Sequence, residues 1–185
     1  MTAVPVPQYP YLADKVIAQM QQQLKTNLSW LDYSFGRAQR LVELRDKKNY
    51  YYPGVFVGGR EYVNVLPTEK YGNFSFFQME DATEVNLQAH RYSKIKNRFS
   101  VIFWFNLSKI YVTQDARETE RIKEEILKAF AKIVLTDGSV SIDSIYESHN
   151  NIYKNYSLNE VEHQHLMHPF GAIRVEGEFS YFESC

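Results

Sequence analysis

Residues 99–106 (FSVIFWFN) constrain the fold more than any other stretch of this chain. A strand with one wet face alternates apolar and polar residues. Here Phe99, Val101, Phe103 and Phe105 share one face. Ile102 and Trp104 sit between Ser100 and Asn106 on the other. A segment that is apolar on both faces through its middle belongs inside a sheet, with something covering each side. The tail at 172–182 (AIRVEGEFSYF) supplies its antiparallel partner: Ile173, Val175, Phe179 and Tyr181 alternate with Arg174, Glu176, Glu178 and Ser180. Burying such a face contributes about 1.5–3 kcal/mol per large side chain, enough to fix the strand's register.

A helix follows the apolar strand. Ile122, Ile126, Phe130 and Ile133 form one stripe, with Leu127 beside it. Thr113 or Asp115 serves as the cap, and Glu118 and Glu120 sit in the first turns. Glu124 and Lys128 make a favourable helical pair, and Lys128 and Lys132 suit the negative end of the dipole. Asp137-Gly138 then opens another alternating strand through Val140, Ile142 and Tyr146.

Upstream, Leu12, Val16, Met20 and Leu24, with Ile17, predict an N-terminal helix whose Gln21, Gln22 and Gln23 lie mostly on the wet side. Ser34-Phe35-Gly36 reads as a break before a short strand at 39–45. Gly58-Gly59 marks a hairpin bracketed by Pro53 and Pro67. Residues 74–79 and 84–87 read as further strands. Ser157 and Glu160 fit a capping box, which places a short helix there that stops by Pro169. The expected fold is α+β. A mainly antiparallel sheet is flanked by the N-terminal helix and the central amphipathic helix, with an extra β-hairpin. Residues 1–10, with Pro5, Pro7 and Pro10, form an extended N-terminal arm, and 11–185 a single domain.

Formal net charge is -1, so no whole-chain electrostatic case for gripping nucleic acid arises. The N-terminus shows neither the basic nor the apolar region of a signal peptide. No run approaches the ~20 apolar residues of a membrane span. The single cysteine, Cys185, suits a reducing compartment and has no intrachain partner. Tyrosine and phenylalanine are in excess, at 14 and 12. Tyrosine is favoured where a surface is apolar in body and hydrogen-bonding at its tip, as at protein interfaces.

Catalytic signatures are missing from the sequence, and the expectation is a protein without catalytic, cofactor or metal residues. His163, His165 and His168 form the one group resembling metal ligands, and a metal-dependent enzyme built on them is an alternative reading. Neither helix nor strand spacing brings all three together, which favours solvated or interface histidines. Arg91, Lys94, Lys96 and Arg98 form a basic patch that reads as a strand edge discouraging edge-to-edge pairing. Gly54, Gly58 and Gly59 lack the spacing of a phosphate-binding loop. Glu124 and Glu125 read as salt-pairing residues on a wet helix face.

The order of elements resembles the tail terminator and head-to-tail joining (neck) proteins of tailed bacteriophages. The likeness is carried by 98–133, 139–147 and 171–182, by the helix at 11–24, and by PGVFVGGREYVNVLP leading into FSFF. It implies a structural subunit without catalytic residues, made in the bacterial host cytoplasm and placed in the virion at the head–tail junction. Its partners would be copies of itself in a closed ring and other neck, portal or tail-tube proteins. DNA would be passing cargo, and no membrane would be involved. The Pro-rich arm, the hairpin around Gly58-Gly59 and the run Tyr50-Tyr51-Tyr52 are the regions expected to make contacts. A cytoplasmic protein-binding adaptor outside any virus is a further alternative.

Overall fold

The computed structural model describes residues 2–59, 61–86, 93–111, 118–159 and 161–183, except for the side chain of Asp81. The elements run α1 (Ala13–Asn27), β1 (Tyr33–Arg45), β2 (Lys48–Gly58), β3 (Glu61–Asn64), β4 (Phe74–Asn86) and β5 (Ser93–Asn106). They continue with α2 (Leu107–Ile110), α3 (Glu118–Ala131), β6 (Gly138–Tyr146), α4 (His149–Ile152) and β7 (Phe170–Glu183). Among the described residues the strands make one seven-stranded sheet in the order β3-β2-β1-β4-β5-β7-β6. Every neighbouring pair is antiparallel except β1–β4. The fold is α+β, with an N-terminal helix and a mostly antiparallel sheet. No helix among the described residues is long and apolar enough to cross a membrane.

β5 is central, as its two apolar faces require. It pairs with β7 from Ser93↔Glu183 to Asn106↔Phe170, and with β4 on its other side. Phe99, Val101, Phe103 and Phe105 join Val16, Ile17, Met20 and Leu24 of α1 and Ile122, Ile126 and Phe130 of α3 in one core. Ile102 and Trp104 belong to a second core with Phe35, Phe74, Phe76, Ile152 and Tyr153. Helices therefore cover one face of the strand. The segments around α4 and the 3-10 turn His163–Leu166 cover part of the other.

Several expectations are corrected. β1 runs through Ser34-Phe35-Gly36 without a break; the irregularity there is a register shift against β4 between Ser34 and Arg37. Gly36 thus serves a bulge, not a turn. Gln21 is buried, not wet: its Nε2 donates to Pro5 O (3.1 Å) and Ser34 O (2.8 Å). An amide that supplies two carbonyls with a donor is at home in a core. Leu12 precedes α1 and is 49% exposed, so the apolar stripe starts at Val16. Leu127 is 42% exposed, and Ile133 packs against the core as expected although α3 ends before it, at Ala131.

Pro53 lies inside β2 and does not bracket the hairpin. The ladder to β3 begins only at Gly54, so the proline sits where one side of the strand has no strand partner. Ser157 caps no helix: its Oγ accepts from Tyr51 N (3.1 Å) and its N–H donates to Tyr51 O (2.8 Å), which joins the segment to β2. Residues 84–86 continue β4, and Leu87, Thr113, Asp115, Glu160 and Cys185 lie outside the described residues.

β6 lies so close to β7 that a Cβ added at Gly177 would stand 2.1 Å from Ser141 O. The obstacle is backbone and cannot swing aside. Gly177→Ala should cost about 1–3 kcal/mol and loosen β6 specifically. Hydrogen exchange is the check: faster exchange in β6 with β4–β5 protected is expected, and unchanged protection of β6 would contradict it.

Candidate assembly surfaces

The most exposed part of the described fold is the outer half of the β1–β2 hairpin. β1 pairs with β4 only as far as Ala38↔Gln78, whereas its pairing with β2 continues to Arg45↔Lys48. Every residue from 42 to 49 is exposed. Val42 is 58% and Leu44 70% exposed, and directly opposed pairing puts them on the same ribbon face as Tyr51. At about 3.3 Å per residue the free part reaches roughly 13 Å beyond the body. An isolated two-stranded ribbon is at best marginally stable in water.

The base of the ribbon is held firmly. Arg40 Nε donates to Asn155 O (2.9 Å), and the Arg40 guanidinium lies 3.7 Å from the centre of the Tyr51 ring. With the two Tyr51–Ser157 bonds, these contacts fix the aromatic run Tyr50-Tyr51-Tyr52, which is half-buried. The run anchors the ribbon; Val42 and Leu44 are what it presents. Sequence reasoning missed these two residues. The alternating R-L-V-E-L-R pattern was the available signal, since a strand with one covered face and one wet one looks the same.

The other expected contact regions are placed as follows. The N-terminal arm lies on its own domain: Ser34 N–H donates to Ala3 O (2.8 Å), and Pro5 is buried. Beyond it, Tyr9 and Tyr11 are 69% and 71% exposed. The hairpin around Gly58-Gly59 joins β2 to β3, whose four residues form one edge of the sheet. The opposite edge, β6, carries a register irregularity between Ile142 and Ser144, with Asp143 at it. A very short edge and a bulged edge bearing a charge both discourage strand addition. Neither sheet edge among the described residues is a long, regular strand open to pairing.

The histidines do not converge. His165 is buried, its ring edge-on to Trp104 (5.8 Å) and Phe170 (5.2 Å), while His163 and His168 are exposed. Among the described residues no group of three or more His, Cys, Asp or Glu is arranged to hold a metal ion. No protein-family model matches the sequence, and no curated protein matches it as a relative.

The basic patch is not a sheet edge. Lys94, Lys96 and Arg98 lie on β5, between β4 and β7, and Arg91 is outside the described residues. Lys96 pairs with Glu178 of β7 (2.8 Å), and that hydrogen bond holds its ammonium above the usual lysine range. The charges project from an interior strand, so they do not blunt an edge. Glu124 pairs with Lys128 as expected (2.6 Å). Glu125 does more than pair along the helix: it accepts from Trp30 Nε1 (3.0 Å) and the Tyr111 hydroxyl (3.1 Å). Burial first, and the Glu125 carboxylate second, push that hydroxyl above the ordinary tyrosine value.

Proposed function

We propose that the chain is a non-enzymatic structural subunit that closes into a ring at the head–tail junction of a tailed bacteriophage, as a tail terminator or connector-like neck protein. The observation that carries the assembly reading is the projecting β1–β2 ribbon with Val42 and Leu44 in solvent. The phage setting rests on the resemblance in element order. A ring needs a heterologous contact, in which one patch of a copy meets a different patch of the next. The ribbon supplies the first patch. Tyr9 and Tyr11, exposed ahead of α1, supply the second. Such a ring joins or caps the tail tube and leaves a central channel for DNA, in the virion and in contact with portal or tail-tube proteins. The near-neutral chain suits a channel that does not grip the passing duplex.

Native mass spectrometry and negative-stain imaging test this. Wild-type protein should form closed rings. Val42→Asp/Leu44→Asp and Tyr9→Ser/Tyr11→Ser should each leave monomers. Mixing the two variants should give dimers without rings, because one intact contact survives per pair. A wild-type chain that stays monomeric and never joins a phage particle would remove the reading.

A further inference from the structure

The point where β1 leaves β4 also creates a cleft. Past Ala38↔Gln78, β1 continues with β2 and β4 continues with β5, so the two ribbons part. The resulting hollow, about 740 Å³, is lined by Arg37, Arg40, Lys154 and Arg174, with Gln78 and Tyr156 between them. Its carboxylates among the described side chains are Glu80 in the lining and Glu176 beside it. Arg37 also faces Asp14 of α1, so the four cations meet three carboxylates among the described side chains and the cleft keeps a net positive charge of about one.

Arg174 lies at the bottom, 2% exposed on β7, between β5 and β6. Its Nε donates to Glu176 Oε1 (2.8 Å), and one terminal nitrogen makes only long bonds, to Gln78 Oε1 (3.3 Å) and Ile152 O (3.4 Å). Glu176 is shared with Lys154 at 3.2 Å. Burial pushes the Glu176 carboxyl up, but Arg174 and Lys154 outweigh it and hold it below the usual range. The Tyr156 hydroxyl is buried without a hydrogen-bond partner among the described residues. Burial pushes it up to about 12, against the pull of the nearby Arg174 and Arg40 charges. An unpaired buried hydroxyl is costly and calls for an explanation.

We propose that this fork cleft is a phosphate-binding site, with Arg40, Lys154, Arg174 and the Tyr156 hydroxyl as the donors that hold the anion. A carboxylate's two oxygens accept about four bonds, all near one plane, whereas these donors come from three separate segments around the cleft. A phosphate monoester carries about -1.5 to -2 charge at neutral pH and three acceptor oxygens in a tetrahedral array, so it meets donors from several sides and offsets the positive cleft. Guanidinium groups suit such oxyanions in particular. The phosphate belongs either to a small phosphate ester or to the terminal phosphate of a nucleic acid.

The test titrates inorganic phosphate into the full chain by calorimetry and by phosphorus NMR. Saturable binding at one site per chain is expected. Tyr156→Phe and Lys154→Met should each weaken it about tenfold, the effect of one lost charge-assisted or buried bond. In phosphate-free buffer Tyr156→Phe should not lower the unfolding midpoint, because it removes a hydroxyl that has no partner there. That separates a ligand role from a structural one. Competition assigns the source: displacement by a terminally phosphorylated single-stranded oligonucleotide, and not by its unphosphorylated form, supports a nucleic-acid terminal phosphate, and displacement only by phenyl phosphate supports a small ester. Absence of saturable binding, or binding left unchanged by both substitutions, overturns the site. Neither result depends on whether the chain forms rings.

Discussion

Replacing Trp104 by alanine should cost about 3–5 kcal/mol, a large share of the ~5–15 kcal/mol typical of a domain. Trp104 is 1% exposed on the central strand. Its ring stacks on Phe170 (5.1 Å, 13° between planes) and tilts against Phe74 (5.4 Å). Its Nε1 donates to His165 O (3.1 Å). This one side chain therefore ties β5 both to β4 and to the 3-10 turn lying over that face. Truncation removes two fused rings and leaves a cavity that Phe74, His165 and Phe170 on their fixed backbone cannot fill. Trp104→Phe keeps much of the apolar contact but leaves the His165 carbonyl without its donor, an expected loss of about 1–3 kcal/mol. Urea unfolding followed by circular dichroism measures both. A cost below about 1 kcal/mol for the alanine variant would mean that the second face of β5 is not a core at all.

How far the sequence was legible depends on where each signal resides. The apolar density of 99–106 and the alternation of 172–182 are local, and both strands and their antiparallel pairing follow from them. The Gly58-Gly59 turn is local as well: both glycines have positive φ, 100° and 59°, which suits a hairpin bend. What was not legible is held by distant partners. The parallel β1–β4 contact has no pattern of its own, and Gly36 resembles a break until β4 lies beside it. Gln21 looks like one of three wet glutamines, and only the carbonyls of Pro5 and Ser34 distinguish it. The basic run at 94–98 looks like an edge because charges on interior and edge strands have the same spacing.

The candidate surfaces were legible in region rather than in residue. The aromatic run at 50–52 and the arm drew notice because tyrosine and proline stand out in composition. Val42 and Leu44 did not, since an apolar residue alternating with charges is the ordinary sign of a strand on a core. Their exposure comes from the divergence of β1 from β4, a property of the sheet and not of the strand. The cleft beneath has the same origin. Arg37, Arg40, Gln78, Lys154 and Arg174 come from four separate segments, and no spacing in the chain announces them together.

Asn73→Ala should be nearly as damaging as the loss of Trp104, although it removes no apolar surface. Asn73 is 4% exposed; its Nδ2 donates to Trp30 O (2.9 Å) and its Oδ1 accepts from Asn106 N–H (2.8 Å). Its own N–H donates to Asp32 Oδ2 (2.8 Å), and its carbonyl accepts from both Asp32 and Tyr33. The residue joins the end of α1's connection, the start of β1 and β4, and the end of β5. Gly72 beside it has φ 62°, and a Cβ there would stand 2.3 Å from Asp32 Oδ2, so the bend is possible only with glycine. Alanine at 73 strands a buried carbonyl and a buried N–H at once, which costs about 2–5 kcal/mol. Asn73→Asp gives a sharper test. Its carboxylate still accepts from Asn106 N–H but faces the Trp30 carbonyl, so burial and that carbonyl raise its folded pKa above the unfolded value of about 3.9. A raised carboxyl is favoured protonated in the folded state. Its contribution is therefore fully present below about 3.9 and lost as pH rises through the folded value. The stability gap to the parent should widen with pH across that window in paired urea titrations. A gap that is flat with pH, or that closes as pH rises, would show that Asn73 does not donate to Trp30.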